Sequence, residues 1–308
     1  MQNNLKPISL LAAMLLCFLA PAASAITIDT HFIGGTPPAH SAGSGDLTQI
    51  VKAAARLWEA AYSDPLVITI YYGWGDIGDA GTHTLQYSDD QGREISGAIL
   101  FDNSDSVSFY LDPTPESDEE YRRRKDEYQD LGGGFVNVAR VFSSPAGDAA
   151  GHLDLLSVAL HEIGHAAGMS GANTRFLDQS AGGYLLIGES YPFAGTAIPL
   201  AFNNSGIVPH FDAEEVVYGS VMSGLNGDER RFPSELDILA NAQVSGFKIA
   251  TLNPPQASGQ GFSRLREAAG EMLERRNLDS ASTGRSVVQI PLRAVSSTIR
   301  GNRDAQVR

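Results

Sequence analysis

His161-Glu162-Ile163-Gly164-His165 is the stretch on which the reading of this chain turns. Asp154-Leu155-Leu156-Ser157-Val158-Ala159-Leu160 runs into it with good helix formers and an apolar stripe, so a helix is expected through both histidines. Positions four apart on a helix stand one above the other, which directs the imidazoles of His161 and His165 at a single point. A tetrahedral zinc ion needs that geometry from two of its ligands, and Glu162 lies beside them as a general base. The plainer alternative is two ordinary histidines on a half-buried helix.

The residues around this helix narrow the choice. Gly168 supplies its stop, because glycine takes left-handed backbone conformations at no steric cost. Far downstream, Ser220-Val221-Met222-Ser223-Gly224 reads as a tight turn around a methionine. His161, Glu162, His165, Gly168 and Met222 together resemble the metzincin zinc peptidases, whose paired histidines are followed by a glycine, a third histidine and a methionine turn. The run 154–160 also looks like the approach to the metal helix in the matrixin branch. The resemblance spans roughly residues 46–248 and implies an α+β fold. Its parts would be a twisted, mostly parallel sheet with helices, the metal helix at the cleft, Met222 beneath the metal and an irregular C-terminal subdomain. It further implies one catalytic Zn2+ and an endopeptidase acting on a peptide or protein substrate through metal-activated water, with Glu162 as general base.

One position departs from the pattern. The third histidine should stand at 171, and this chain has Gly171. A catalytic zinc usually keeps three protein ligands and a water, so a ligand must come from elsewhere. His210 is preferred. It lies in Val208-Pro209-His210-Phe211-Asp212, which resembles the leishmanolysin-like branch and some secreted bacterial metalloproteases, where an insertion separates the metal helix from a ligand segment of this form. Here the insertion is 172–209, a stretch long enough to wall a cleft. Asp212 would cap a helix over 213–218. Glu189 is the rival ligand, because another zinc-peptidase class takes a downstream glutamate, but that class carries it on a helix and Gly188-Glu189-Ser190-Tyr191-Pro192 reads as a loop. His31, His40, His83 and His152 have no ligand-like context and read as surface or structural residues. Some metzincins place a tyrosine two residues after the methionine. This chain has Gly224 there, so oxyanion stabilisation would fall to the metal or to a group the sequence does not identify. A peptide substrate would pair with an exposed strand edge, for which 136–142 is the first candidate and 97–103 the second.

The remaining sequence sets the context. Met1 to Lys6, the apolar run Ile8 to Leu19 and Ala23-Ser24-Ala25 have the form of a secretory signal peptide over residues 1–25, with a mature chain of about 280 residues starting near Ile26. The apolar run is shorter than the roughly 20 residues of a spanning helix, so no membrane anchor is expected in the mature chain. Cys17 is the only cysteine and lies inside that run, leaving no disulfide and no thiolate ligand in the mature chain. An exported protein, secreted or periplasmic, follows. Residues 26–260 carry 31 acidic against 12 basic side chains, a balance that argues against nucleic acid as a partner. Gly75-Asp76-Ile77-Gly78-Asp79 has the oxygens for Ca2+, yet an ordinary turn explains it more simply.

Residues 26–45 read as a leader and 46–250 as the zinc peptidase domain. Asp46 caps a helix over 47–62, followed by strands at 66–72, 95–101, 107–111 and 135–142. The charge run 116–130 offers Glu119–Arg123 and Glu120–Arg124 pairs at helical spacing and is expected to be a surface helix. Ser234 caps a further helix that ends near Gly246. Residues 251–308 read as a separate Arg-rich tail, partly helical through Phe262, Leu265, Ala269 and Met272 or else mobile. Against the secreted endopeptidase stands a catalytically inactive, zinc-stabilised binding or adhesion module on the same scaffold. A carboxylate between the histidines has no purpose in such a module.

Overall fold

The computed structural model describes residues 25–255 apart from Asp105. The expected signal peptide up to residue 24 and the expected tail helix around Phe262 and Met272 lie outside the described residues. In chain order the elements are β1 (Thr27–Gly34), α1 (Leu47–Ala61), β2 (Val67–Gly75), β3 (Gly81–Ser88), β4 (Glu94–Asp102), β5 (Phe109–Tyr110), β6 (Tyr121–Asp130) and β7 (Phe135–Pro145). There follow β8 (Leu153–Asp154), α2 (Leu155–Ala166), α3 (Thr174–Ser180), β9 (Tyr184–Leu186), β10 (Ala197–Asn203), β11 (Gly206–Phe211), β12 (Glu229–Arg231) and α4 (Glu235–Ser245). The architecture is mixed α and β, with helices and several separate sheets. Among the described residues no helix is long and apolar enough to cross a membrane.

The main sheet has the order β1-β2-β4-β3. Its first three strands are parallel, and β3 runs antiparallel to β4 at the edge. Thr27–Gly34, part of the expected leader, is the strand at the opposite edge. The α1 crossover between β1 and β2 starts where the Asp46 carboxylate accepts from the N–H groups of Thr48 and Gln49. Its apolar side, including Ile50, Ala54 and Trp58, is buried, and the Trp58 indole N–H donates to the Leu160 carbonyl at 2.9 Å. That bond fixes α1 against α2. α2 lies across β3 and β4, and all of its residues are buried.

Four local expectations are corrected. The run 116–130 is not a helix: Tyr121–Asp130 is β6, paired antiparallel with β7. Its charges satisfy a period of two as well as four, with Arg124 on Asp126 at 2.9 Å and Lys125 on Glu127 at 2.5 Å. The hairpin is closed by the Asp130 carboxylate, which accepts from the N–H groups of Gly132 and Gly134, both at φ near +105°. Residues 213–218 form turns rather than a helix. Asp212 does accept from Glu214 N–H, but the Gln129 side chain takes the Glu215 carbonyl and the Val217 N–H, which draws the segment onto β6. Neither expected edge strand is an edge: β7 runs between β12 and β6, and β4 between β2 and β3. The strand expected over 107–111 shrinks to Phe109–Tyr110. The insertion 172–209 is structured, carrying α3, β9, β10 and most of β11.

Candidate metal centre

The Asp154 carboxylate starts α2 by accepting from Ser157 N–H at 3.0 Å, and Gly168 ends it at φ +152°. A Cβ on Gly168 would stand 2.7 Å from Ser245 Oγ, so this glycine also lets α4 approach. His161 and His165 lie one turn apart on α2. His210 reaches them from β11, 49 positions after His161. The Nε2 atom of His161 stands 3.1 Å from those of both His165 and His210. The three rings supply ligand atoms within 4.8 Å of one another and could hold a metal ion; among the described residues no other group of His, Cys, Asp and Glu converges in this way.

Hydrogen bonding fixes what two of those atoms are. His161 Nδ1 lies 2.7 Å from the Val221 carbonyl, and His165 Nδ1 bonds the Met169 carbonyl. A carbonyl only accepts, so each Nδ1 carries the proton and each neutral ring presents a lone pair at Nε2. Two lone pairs facing at 3.1 Å repel unless a cation lies between them. Nitrogen ligands of a tetrahedral zinc ion stand about 3.3 Å apart, so the donor set fits a small divalent cation. Burial holds the rings neutral: His161 and His210 are pushed down to about 4, and His165 well below its ordinary value.

The carbonyl partners are themselves held by α4. Ser234 and Asp237 make a capping box at its start. The buried Asp237 carboxylate also accepts from the Ser220 hydroxyl and the N–H groups of Val221 (3.3 Å) and Met222 (3.0 Å), shaping the turn whose Val221 carbonyl meets His161. One helical turn on, Asn241 Oδ1 accepts from Met169 N–H at 3.0 Å, fixing the carbonyl that meets His165. The Met222 carbonyl accepts from Phe211 N–H at 3.0 Å, tying the same turn to the strand of His210. Met222 packs under the metal helix where a Cβ on Gly164 would lie 2.4 Å from its sulfur.

Glu162 is nine-tenths or more buried and faces Gly81 on β3, where a Cβ would fall 2.6 Å from its Oε1. Burial, and then the Asp79 charge, push its carboxyl up to about 8. An open cleft of about 680 Å³ runs along β3 past Glu162, the three histidines, Gly171, Pro209 and Gly224. No family model, curated protein or solved structure matches this chain.

Of the residues singled out from sequence, His161, Glu162, His165 and His210 come together, with Met222 and Gly168 supporting them. Glu189 does not join them; it is exposed in a turn and outside the converging group. A Cβ on Gly171 would stand 3.9 Å from Pro209 Cδ, so the segment bearing His210 passes beside position 171. Asp76 and Asp79 belong to no converging group, and the 75–79 loop is organised instead by Asp102. Sequence reasoning missed Gly164, Asp237, Asn241 and His83. The last bonds the buried Glu94 at 2.8 Å, stacks on His165 at 6.2 Å and lines the cleft. Only Asp237 left a signal, as the third residue of the Ser234 capping box.

Proposed function

We propose that this chain is an exported zinc-dependent endopeptidase of metzincin type, with His161, His165 and His210 as ligands and Glu162 as general base. The observation that carries this reading is the facing of two Nε2 lone pairs at 3.1 Å beside a buried carboxylate at the wall of an open cleft. Zinc held there supplies a Lewis acid that polarises a carbonyl and acidifies water.

The chain's own residues perform the rest. Among the described residues β3 is an edge strand along the cleft, on which an extended peptide adds as a further strand through backbone hydrogen bonds. Glu162 takes a proton from the attacking water as its oxygen adds to the scissile carbonyl carbon. When the C–N bond breaks, Glu162 returns that proton to the leaving amine nitrogen. Desolvation makes the carboxylate a stronger base than an exposed glutamate.

Cleavage of casein and of a broad peptide library by the purified full chain tests this, with and without chelator. Cleavage should depend on zinc, and Glu162→Gln should keep the metal while losing about 10²- to 10⁴-fold in rate. A zinc-loaded wild type that cuts nothing would replace the peptidase by a metal-stabilised binding module.

A further inference from the structure

The same cleft carries a charge that the proposed chemistry does not use. Asp79 is exposed at its rim, immediately before the β3 edge and on the side of Glu162 and His210. Its Oδ1 accepts from Ala80 N–H at 2.7 Å, and among the described residues no lysine or arginine pairs with it. Its position is fixed from behind. The buried Asp102 carboxylate accepts from the N–H groups of Ile77 (3.1 Å) and Gly78 (3.2 Å) and from the hydroxyls of Ser104 and Ser106. These bonds hold that carboxyl well below the usual carboxylate range. Asn103 N–H donates to the Gly75 carbonyl at 2.9 Å, closing the other end of the loop. Asp79 is therefore presented by a rigid turn, which removes most of the ordering cost of meeting a ligand.

No lysine or arginine side chain of the cleft neutralises it. The cleft lining carries two acidic side chains, Asp79 and Glu162, with histidines, threonines and small or apolar residues, and neither lysine nor arginine. The Arg231 guanidinium does not line the cleft; it bonds the Ser220 and Gly224 carbonyls and Glu229. Asp79 lines the same cleft as Glu162 and His210, on the approach to the reacting bond.

We propose that Asp79 is a specificity determinant of this cleft, selecting peptides with a lysine or arginine close to the bond aligned at Glu162. This rests on the peptidase reading for the word "bond"; the charge preference of the cleft stands apart from it. An exposed ion pair contributes little, so the expected discrimination is about fivefold, and screening by salt should erode it.

The test uses zinc-loaded full-length Glu162→Gln protein, which holds peptide without turning it over. Fluorescein-labelled eight-residue peptides carry one lysine or one glutamate at each position in turn on an otherwise neutral background, and binding is read by anisotropy. At one or two adjacent positions lysine should bind about fivefold tighter than glutamate at low salt. Adding Asp79→Asn should erase the difference, and adding Asp79→Lys should invert it, with circular dichroism melts showing both variants folded. Equal affinities, or a preference that Asp79→Asn leaves in place, overturn the inference. The same peptides incubated with wild type and read by mass spectrometry separate the two claims. A lysine preference in binding with no peptide cut keeps Asp79 as the selector and removes the peptidase.

Discussion

At the scale of single residues, the centre depends on atoms that are absent as much as on those present. Gly164 is the second unspecified position of the metal motif, and any good helix former suits the backbone there. The packing is not so tolerant: a Cβ would meet Met222 Sδ at 2.4 Å and Trp58 Cζ2 at 3.1 Å. Overpacking of a filled core costs about 1–3 kcal/mol, so Gly164→Ala should lower the melting temperature although alanine is the better helix former. Zinc affinity should fall with it, because the displaced methionine turn carries the Val221 carbonyl that aligns His161. Calorimetry of the two proteins with and without metal checks this. A Gly164→Ala protein that melts at or above wild type would mean the methionine floor has room to give. Gly81 makes the matching demand from the other side of Glu162, where β3 presses on the carboxylate.

At the scale of elements, α4 acts as a splint. Asp237 and Asn241 lie one turn apart on it, as His161 and His165 do on α2, and each fixes a backbone carbonyl that receives one imidazole N–H. Asp237→Ala would strip the capping box and leave the Val221 N–H buried without an acceptor, at about 1–3 kcal/mol, with the Met222 N–H held by Ser220 Oγ alone. Metal affinity should drop about 10- to 100-fold, as for other groups that orient a ligating histidine. Asn241→Leu should release only the His165 side and weaken zinc less; competition with a coloured chelator ranks the two. Equal loss in both variants would mean that α4 acts through general stability alone. This arrangement also explains what the sequence disclosed. The paired histidines, Gly168 and the Ser234 cap were legible because each lies within one helix or at its end, where spacing dictates geometry. β6 was misread because Glu119–Arg123 at helical spacing and Arg124–Asp126 at strand spacing coexist in one run. The Asp-x-Gly-Gly-Gly turn after it was the deciding clue. His83, Asn241 and the β3 edge were not legible, since only the packing of separate elements brings them to the cleft.

At the scale of the whole molecule, a metal ion held by the three histidines would join α2 to β11 across the insertion and so couple its binding to the folding of the chain. His210→Ala should lose stoichiometric zinc, activity and thermal stability together, whereas Glu189→Ala should leave all three near wild type. Elemental analysis of both variants decides it, and full zinc in His210→Ala with depletion in Glu189→Ala would overturn the ligand set. Protons compete for the same centre with a sign that can be worked out. His161 and His210 fall from 6.5 to about 4 in the fold, so between those values the unfolded chain binds more protons. Their contribution to stability is therefore full above pH 6.5 and is lost as pH falls towards 4. Glu162 runs the other way, raised from 4.5 to about 8 by burial, so the metal-free fold holds a proton that the unfolded chain has released. Its contribution is present below pH 4.5 and is lost as pH rises through 8. Above pH 6.5 the histidine term fades and is shared by wild type and Glu162→Gln, so the difference between the two proteins reports Glu162. Between pH 6.5 and 8 the metal-free wild type should thus lose stability to urea relative to metal-free Glu162→Gln. A nearby dication favours the ionised carboxylate, so zinc should remove that pH-dependent difference. A difference between the metal-free proteins that does not change from pH 6.5 to 8 would mean Glu162 is ionised in the empty fold, and its role as a base tuned by burial would have to be withdrawn.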